Sequence, residues 1–129
     1  IYKDEAAILR DPALNLSSMF GTSYAYEKVT CLSDGEKLVL AGYTFEVIHT
    51  PGHTSGGCCY YVADEEVLFS GDTLFCRSVG RSDFPTGSAS VLVKSIQEKL
   101  FSLPEQVMVY PGHNDLTCIA DEKQYNPFI

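Results

Sequence analysis

The sequence predicts an α/β protein in which a mixed sheet carries helices on its outer face. Several runs alternate apolar and polar residues with the period of two that is typical of strands, and one run places Leu92, Ile96 and Leu100 on a single helical face. Apolar residues make up 45% and charged residues 20% of the 129 residues, which is ordinary for a globular protein. No repeat or Pro/Ser-rich linker divides the chain, so we expect a single domain over residues 1–129.

The amino-terminal part predicts one short helix, an irregular stretch and two strands. These are a helix over Asp4–Arg10, irregular structure over 14–26, and strands over 37–40 and 43–50. The helix has Asp4 as a capping residue, and Asp11-Pro12 ends it. Phe45 and Val47 alternate with polar residues in the second strand, so one face of that strand is expected to be buried.

The carboxyl-terminal part predicts further strands and two helices around a polar loop. These are strands over 58–62, 67–70 and 106–110, a loop over 79–85, and helices over 90–102 and 119–125. The helix over 90–102 has the clearest pattern, because Lys94 and Glu98 lie opposite its apolar face and Pro104 stops it. We expect that apolar face to pack against the sheet.

Three of the predicted strands end in turns of one design. Segment 50–57 reads Thr-Pro-Gly-His-Thr-Ser-Gly-Gly, segment 70–73 reads Ser-Gly-Asp-Thr, and segment 111–114 reads Pro-Gly-His-Asn. Each turn contains glycine and holds one good metal ligand, namely His53, Asp72 or His113. A single histidine after a strand is more often a hydrogen-bonded residue, and a single Gly-Asp-Thr aspartate is more often an Asx turn. Three turns on one plan, however, favour a metal site.

His49 lies four residues before His53, a spacing that would pair two ligands on a helix. Pro51 and Gly52 exclude a helix at this point, because proline lacks the N–H donor and glycine favours turns. We therefore assign His49 a structural role and leave it out of the predicted site.

These motifs, taken together, resemble a known family. The turn segments combine with Phe-Ser-Gly-Asp-Thr-Leu-Phe over 69–75, Gly-Arg-Ser-Asp-Phe-Pro over 80–85, Tyr-Pro-Gly-His over 110–113 and Glu-Lys-Gln-Tyr-Asn-Pro-Phe over 122–128. This set resembles the second half of a metallo-β-lactamase-fold hydrolase, and within it the glyoxalase II-like (hydroxyacylglutathione hydrolase-like) branch. The resemblance implies half of an αβ/βα sandwich. The family's upstream His-x-His-x-Asp-His motif is missing, so we expect the chain to be the carboxyl-terminal portion of a longer protein.

The resemblance also implies a site and a chemistry. In a complete site of this family His53 would bind one metal, Asp72 would bridge two metals as the catalytic ligand, and His113 would bind the second. The implied cofactor is zinc, two per complete site, with iron or manganese as other occupants. Metal-bound hydroxide would then cleave a small-molecule thioester such as an S-2-hydroxyacylglutathione. Thr54 and Thr73 would hydrogen-bond behind the ligands.

Arg81 is the predicted substrate-binding residue. In glyoxalase II-like enzymes the segment at this position edges the thioester site, so the resemblance implies that the guanidinium meets a substrate carboxylate through its planar fork. The alternative is an Arg81–Asp83 surface pair that stiffens the loop.

Two other functions stay open. A persulfide dioxygenase shares the fold and a similar Gly-Arg-Thr-Asp-Phe segment, and there His53 and Asp72 would supply two ligands of a single iron. The third alternative is a non-catalytic fragment, since three ligands divided between two metal positions bind weakly. We expect this chain alone to be inactive or nearly so, and to bind metal weakly or not at all.

Charge and cysteine content bound the partners. The net charge of −8 argues against nucleic acid or an anionic membrane surface as a partner, and no apolar run approaches the roughly 20 residues of a membrane span. Five cysteines without a C-x-x-C spacing favour free thiols in a reducing cytoplasm. Because half a sandwich exposes apolar sheet, we expect a homo-oligomer or association with a complementing amino-terminal half.

Overall fold

A computed structural model describes residues 1–129 as a mixed sheet with two of its three helices packed against one face. The helices are α1 (Glu5–Arg10), α2 (Ala89–Ser95) and α3 (Ile119–Tyr125), and α2 continues as a π-helical turn over Ile96–Leu100. The strands are β1 (Lys37–Leu40), β2 (Tyr43–His49), β3 (Cys58–Val62), β4 (Val67–Gly71), β5 (Leu74–Phe75), β6 (Ser78–Val79), β7 (Met108–Pro111) and β8 (Thr117–Cys118). Two 3₁₀ turns occupy Ser17–Phe20 and Ala63–Glu65.

Six of the strands form one mixed sheet in the order β1-β2-β3-β4-β7-β8. All neighbours are antiparallel except β4 and β7, which run parallel with Gly71 opposite Pro111. Because β3 is antiparallel to both β2 and β4, strands β2, β4 and β7 all point the same way. The turns that follow these three strands therefore meet at one edge of the sheet, and they are the turns that hold His53, Asp72 and His113.

The core lies between the sheet and the helices. Leu92, Ile96 and Leu100 pack against Leu68 and Val109 of the central strands, in agreement with the predicted helical face. These side chains are at most 1% exposed. Burial of a Leu or Ile side chain contributes about 1.5–3 kcal/mol, so this layer holds α2 onto the sheet.

The opposite face of the sheet is largely uncovered. Tyr2 and Leu32 cover Val47 near one end, where a parallel bridge joins Tyr2 to Leu32. Further along, Phe69 and Tyr110 form a row with Phe45 and are about 40% exposed. An aromatic row of this kind would ordinarily be covered by another layer or a partner.

The two short strands β5 and β6 form a separate hairpin beside the ligand edge. Residue 79, which the sequence placed in the polar loop, instead pairs with Leu74. The tip residue Arg77 has a positive φ of 55°, a conformation that L side chains seldom adopt.

No helix of the chain has the length and apolar character needed to cross a bilayer.

Candidate active site

The turn that carries His53 is fixed on helix α2. Gly52 has φ 138° and lies so close to Leu92 that a Cβ at Gly52 would overlap the Leu92 backbone. The Ser88 N–H donates to the Gly52 carbonyl at 2.8 Å, and the Ser95 hydroxyl donates to the Pro51 carbonyl at 2.8 Å. The helix therefore sets the direction in which His53 leaves the backbone.

A hydrogen bond fixes the ring of His53. Its Nδ1 lies 2.7 Å from the Arg81 carbonyl oxygen, and because that oxygen only accepts, Nδ1 carries the proton. In the neutral ring Nε2 then keeps its lone pair, which is the form that binds metals. The edge contact with Phe84, at 5.0 Å between ring centroids, holds the ring in the same orientation.

Asp72 lies between the two predicted histidine ligands. The His53 Nε2 is 3.8 Å from Asp72 Oδ2, and the His113 Nε2 is 3.3 Å from Asp72 Oδ1. The Gly112 N–H donates to the Gly71 carbonyl at 2.8 Å and joins the two turns directly. Each imidazole thus faces a different oxygen of one carboxylate.

These side chains surround a cavity of about 410 Å³. Its lining consists of His53, Asp72, Phe75, Gly80, Arg81, Phe84 and His113. Two other grooves, of about 300 and 690 Å³, lie on the uncovered sheet face and are lined mostly by apolar residues. The predicted metal ligands lie at the sheet edge, so we take the polar cavity between them as the candidate site.

Buried hydroxyl groups link the first two ligand turns. The Thr50 hydroxyl is 3.0 Å from the Thr73 hydroxyl and 3.3 Å from the Cys59 sulfur, and the Cys59 thiol donates to the Ser70 carbonyl. Burial raises the pKa of Cys59 to about 11, so this thiol stays protonated at neutral pH. We expected Thr73 to hydrogen-bond behind the metal ligands. Its hydroxyl instead connects the two turns and makes no hydrogen bond to a histidine. Thr54 likewise donates to Glu5 of α1 at 2.8 Å.

Arg81 lies at the rim of the cavity and is paired with Asp83. The Arg81 Nε and Nη2 atoms each donate to one Asp83 oxygen at 2.7 Å. This hydrogen-bonded pair raises the pKa of Arg81 and lowers the pKa of the Asp83 carboxyl to about 2. The surface pair considered from the sequence is present, and Nη1 makes no hydrogen bond within the chain.

His49 lies outside the cavity. Its ring stacks on Tyr2 with centroids 3.9 Å apart, and its Nε2 is 3.0 Å from the Ser55 carbonyl oxygen. The Asp34 carboxylate accepts from the His49 backbone N–H at 2.7 Å, and this bond together with Lys99 lowers the pKa of Asp34. These contacts engage both the ring and the backbone N–H of His49, in agreement with a structural role.

The donor set fits the shared carboxylate of a two-metal site, with ligands missing at both positions. No three His, Cys, Asp or Glu side chains of the chain converge on one point. The chain instead presents two His–Asp pairs that share Asp72, and each pair offers one nitrogen and one oxygen. Both are ligand types that zinc, iron and manganese accept.

Sequence reasoning missed the carboxylate of Glu122, which is buried near the site and bonded to the β5–β6 hairpin. The signal that could have found it is the four-residue spacing between Glu122 and Asn126, which places the residue that caps α3 one turn after Glu122. A buried glutamate requires partners, and Arg77 of the hairpin, Thr117 and Asn126 supply the donors.

Known proteins match this chain over most of its length. The family described as the metallo-beta-lactamase superfamily matches residues 1–113. Hydroxyacylglutathione hydrolase GloC of Haemophilus influenzae is 42% identical over 96 residues, which are 74% of this chain and 45% of that protein. The chain spans about half the length of the curated relatives it matches first.

Solved structures agree with the fold. The crystal structure of BLEG-1 B3 metallo-beta-lactamase superposes with a TM-score of 0.88 at 42% identity, over 99% of this chain and 63% of that one. The structure of TTHA1623 in a di-iron-bound form gives a TM-score of 0.78 at 35% identity, over 94% of this chain and 60% of that one. The half-sandwich expected from the sequence is therefore confirmed, and the chain belongs to the metallo-beta-lactamase superfamily.

Proposed function

We propose that this chain is part of a metal-dependent hydrolase of the glyoxalase II-like type. Its substrate would be a small thioester such as an S-2-hydroxyacylglutathione, and its products a hydroxy acid and a free thiol. The observation that carries the proposal is the carboxylate of Asp72 between two imidazole Nε2 atoms, at 3.8 and 3.3 Å. The match to a protein named hydroxyacylglutathione hydrolase supports the choice of substrate.

In this proposal His53 and Asp72 hold one metal, and Asp72 and His113 hold the other. When bound, two metals lower the pKa of water and polarise the thioester carbonyl, so no nucleophilic side chain is needed. A di-iron form of a similar protein supports two positions, and zinc is our proposed occupant. The Arg81 carbonyl keeps the proton of His53 on Nδ1, so that Nε2 stays available.

Arg81 has a second proposed role at the cavity rim. Its Nη1 donors are not used within the chain, and the Arg81–Asp83 pair keeps the guanidinium plane fixed. A glycyl carboxylate of the substrate would meet these donors without breaking the pair. Asp83 therefore positions the arginine.

The structure favours two metals over the single iron of a dioxygenase. A mononuclear site would use only His53 and Asp72, yet His113 points its Nε2 at the other oxygen of the same carboxylate. In either case this chain supplies too few ligands for a complete site. We propose that the chain alone has little or no activity, and that it works within a longer cytoplasmic protein, where its five unpaired thiols would stay reduced.

Zinc binding by single-histidine variants tests the site. His53→Ala and His113→Ala should each weaken zinc binding at least tenfold, whereas the matched control His49→Gln should leave it unchanged, because His49 lies outside the cavity. Calorimetric titration with zinc of the longer protein of which we propose this chain is part gives the affinities. Equal binding by all three variants would contradict the proposed ligands.

Hydrolysis assays test the reaction. The longer protein of which we propose this chain is part should release thiol from an S-2-hydroxyacylglutathione with two metals per molecule. The same protein with Asp72→Asn should lose at least about 100-fold in kcat, because an amide cannot bridge two metals as a carboxylate does. One iron per molecule with oxygen consumption on a persulfide would instead support the dioxygenase.

A further inference from the structure

The carboxyl-terminal motif contains a buried carboxylate that the proposed reaction does not use. The side chain of Glu122, on α3, is fully buried and accepts hydrogen bonds from both sides. Oε1 receives Thr117 Oγ1 at 2.6 Å and Arg77 Nη1 at 2.9 Å, while Oε2 receives Arg77 N at 3.0 Å and Asn126 Nδ2 at 2.8 Å. A buried charge with this many donors fixes the groups around it.

The hydrogen bonds that Glu122 accepts hold the tip of the β5–β6 hairpin. Two of the hydrogen bonds come from Arg77, the tip residue with φ 55°, and Asn126 also donates to the Ser78 carbonyl at 3.1 Å. A non-glycine residue with positive φ needs its surroundings to keep it in place. Glu122 and Asn126 are those surroundings.

The same hairpin touches both histidines of the candidate site. On its first strand, Phe75 packs its ring edge against His113, with centroids 5.8 Å apart and planes at 80°. Its second strand leads into Gly80 and Arg81, and the Arg81 carbonyl accepts the hydrogen bond from His53 Nδ1–H. Gly80 itself lies against the backbone of Asp72, since a Cβ there would overlap the Asp72 carbonyl. A shift of the hairpin would therefore move the supports of both imidazoles together.

We propose that Glu122, with Asn126, is a positioning residue for the two histidines and acts through the β5–β6 hairpin. Metal binding by His53 and His113 rests on the proposed function, whereas the orientation of their imidazole rings does not. Asp121, its neighbour on α3, serves as the contrast, because its contact with Arg77 Nη2 is a longer one at 3.7 Å between exposed groups. Exposed ion pairs of this kind contribute little to stability.

The test compares Glu122→Gln with Asp121→Asn as a matched control on the same helix. In Glu122→Gln an NH2 group replaces one accepting oxygen, and in either orientation of the amide that NH2 group faces at least one N–H donor. We expect the Nδ1–H resonance of His53 to broaden or vanish and the ring protons of His113 to shift in NMR spectra recorded well below the unfolding midpoint. The zinc affinity of the longer protein should fall about 10- to 100-fold in Glu122→Gln, and Asp121→Asn should match the wild type.

Asn126→Ala provides a second variant if Glu122→Gln does not fold, because it keeps the carboxylate and removes the bond to Ser78. The proposal is overturned if the folded variants lose stability while both histidine signals stay at their wild-type positions. It is also overturned if Glu122→Gln unfolds and Asn126→Ala leaves the signals unchanged. Absence of zinc binding by the longer protein would defeat the proposed metal site, but the histidine signals would still decide the positioning role.

Discussion

Arg81 acts on the site with two different parts of one residue. Its backbone carbonyl sets the tautomer of His53, and its guanidinium is paired with Asp83 at the cavity rim. A substitution of the side chain therefore separates the two roles, because every residue keeps the carbonyl. The orientation of His53 should survive such a change, whereas the rim charge should not.

The Asp83 carboxyl should titrate at about pH 2 in the wild-type chain, and its pKa should rise toward the ordinary 3.8 in Arg81→Gln. The hydrogen bonds from Arg81 are the main cause of the lowered pKa, and a backbone hydrogen bond at Asp83 lowers it further. Because the folded pKa lies below the ordinary value, the pair is fully formed above about pH 3.8 and is lost as the pH falls through about 2. Carboxyl ¹³C NMR titration of both proteins measures this.

The His53 Nδ1–H resonance is the internal control for that experiment. It should persist in Arg81→Gln at neutral pH, since the carbonyl of residue 81 is still present. A wild-type midpoint near 3.8 would mean that the Arg81–Asp83 pair does not persist in solution.

At the scale of elements, the turn over 50–57 and helix α2 form one unit. The close approach of Gly52 to Leu92, and the hydrogen bonds from Ser88 and Ser95, leave no room for a side chain on that glycine. The helix thus does more than cover the core, because its first turns fix the loop that carries His53.

Gly52→Ala should destabilise the chain by about 3 kcal/mol or more, because its methyl group would overlap the backbone of Leu92. The control is Gly42→Ala, which also lies at a positive φ, 83° against 138° for Gly52, but has nothing within 4 Å of the added carbon. That control should cost only about 1–2 kcal/mol, the cost of the left-handed conformation. Urea unfolding measures both, and equal losses would show that the close approach contributes nothing.

Elements with a clear periodicity were predictable from the sequence, and the β5–β6 hairpin was not. Helix α3 begins and ends where the pattern predicts, and β2 ends within one residue of its expected boundary. The hairpin strands have two residues each, which is too short for an alternating pattern, and the tip residue Arg77 is not a glycine. Nothing local in the sequence signals that turn.

The candidate site likewise has features that the sequence predicts and features that it does not. The meeting of His53, Asp72 and His113 at one edge follows from strand direction, so turn motifs alone could indicate it. The role of Glu122 depends on a contact with Arg77 across 45 positions of sequence, which no local pattern encodes. The same holds for the hydroxyl pair of Thr50 and Thr73, which are 23 positions apart.

At the scale of the whole molecule, the two faces of the sheet differ in what covers them. One face has the helices and the closed core, whereas the other exposes the row of Phe45, Phe69 and Tyr110. Exposed aromatic rows of this kind favour association. For the isolated chain the available partner is a second copy, and the net charge of −8 opposes that contact only weakly at physiological salt.

We therefore expect the isolated chain to self-associate through this face, and Phe69→Lys to weaken the association at least about tenfold, since a buried aromatic contributes strongly to an interface. Val91→Lys is the matched control, because Val91 on α2 is 40% exposed, Phe69 is 41% exposed, and each change adds one positive charge. Sedimentation velocity over a concentration series gives the dissociation constants. A wild-type chain that stays monomeric throughout, or two lysine variants that behave alike, would exclude this face as the contact.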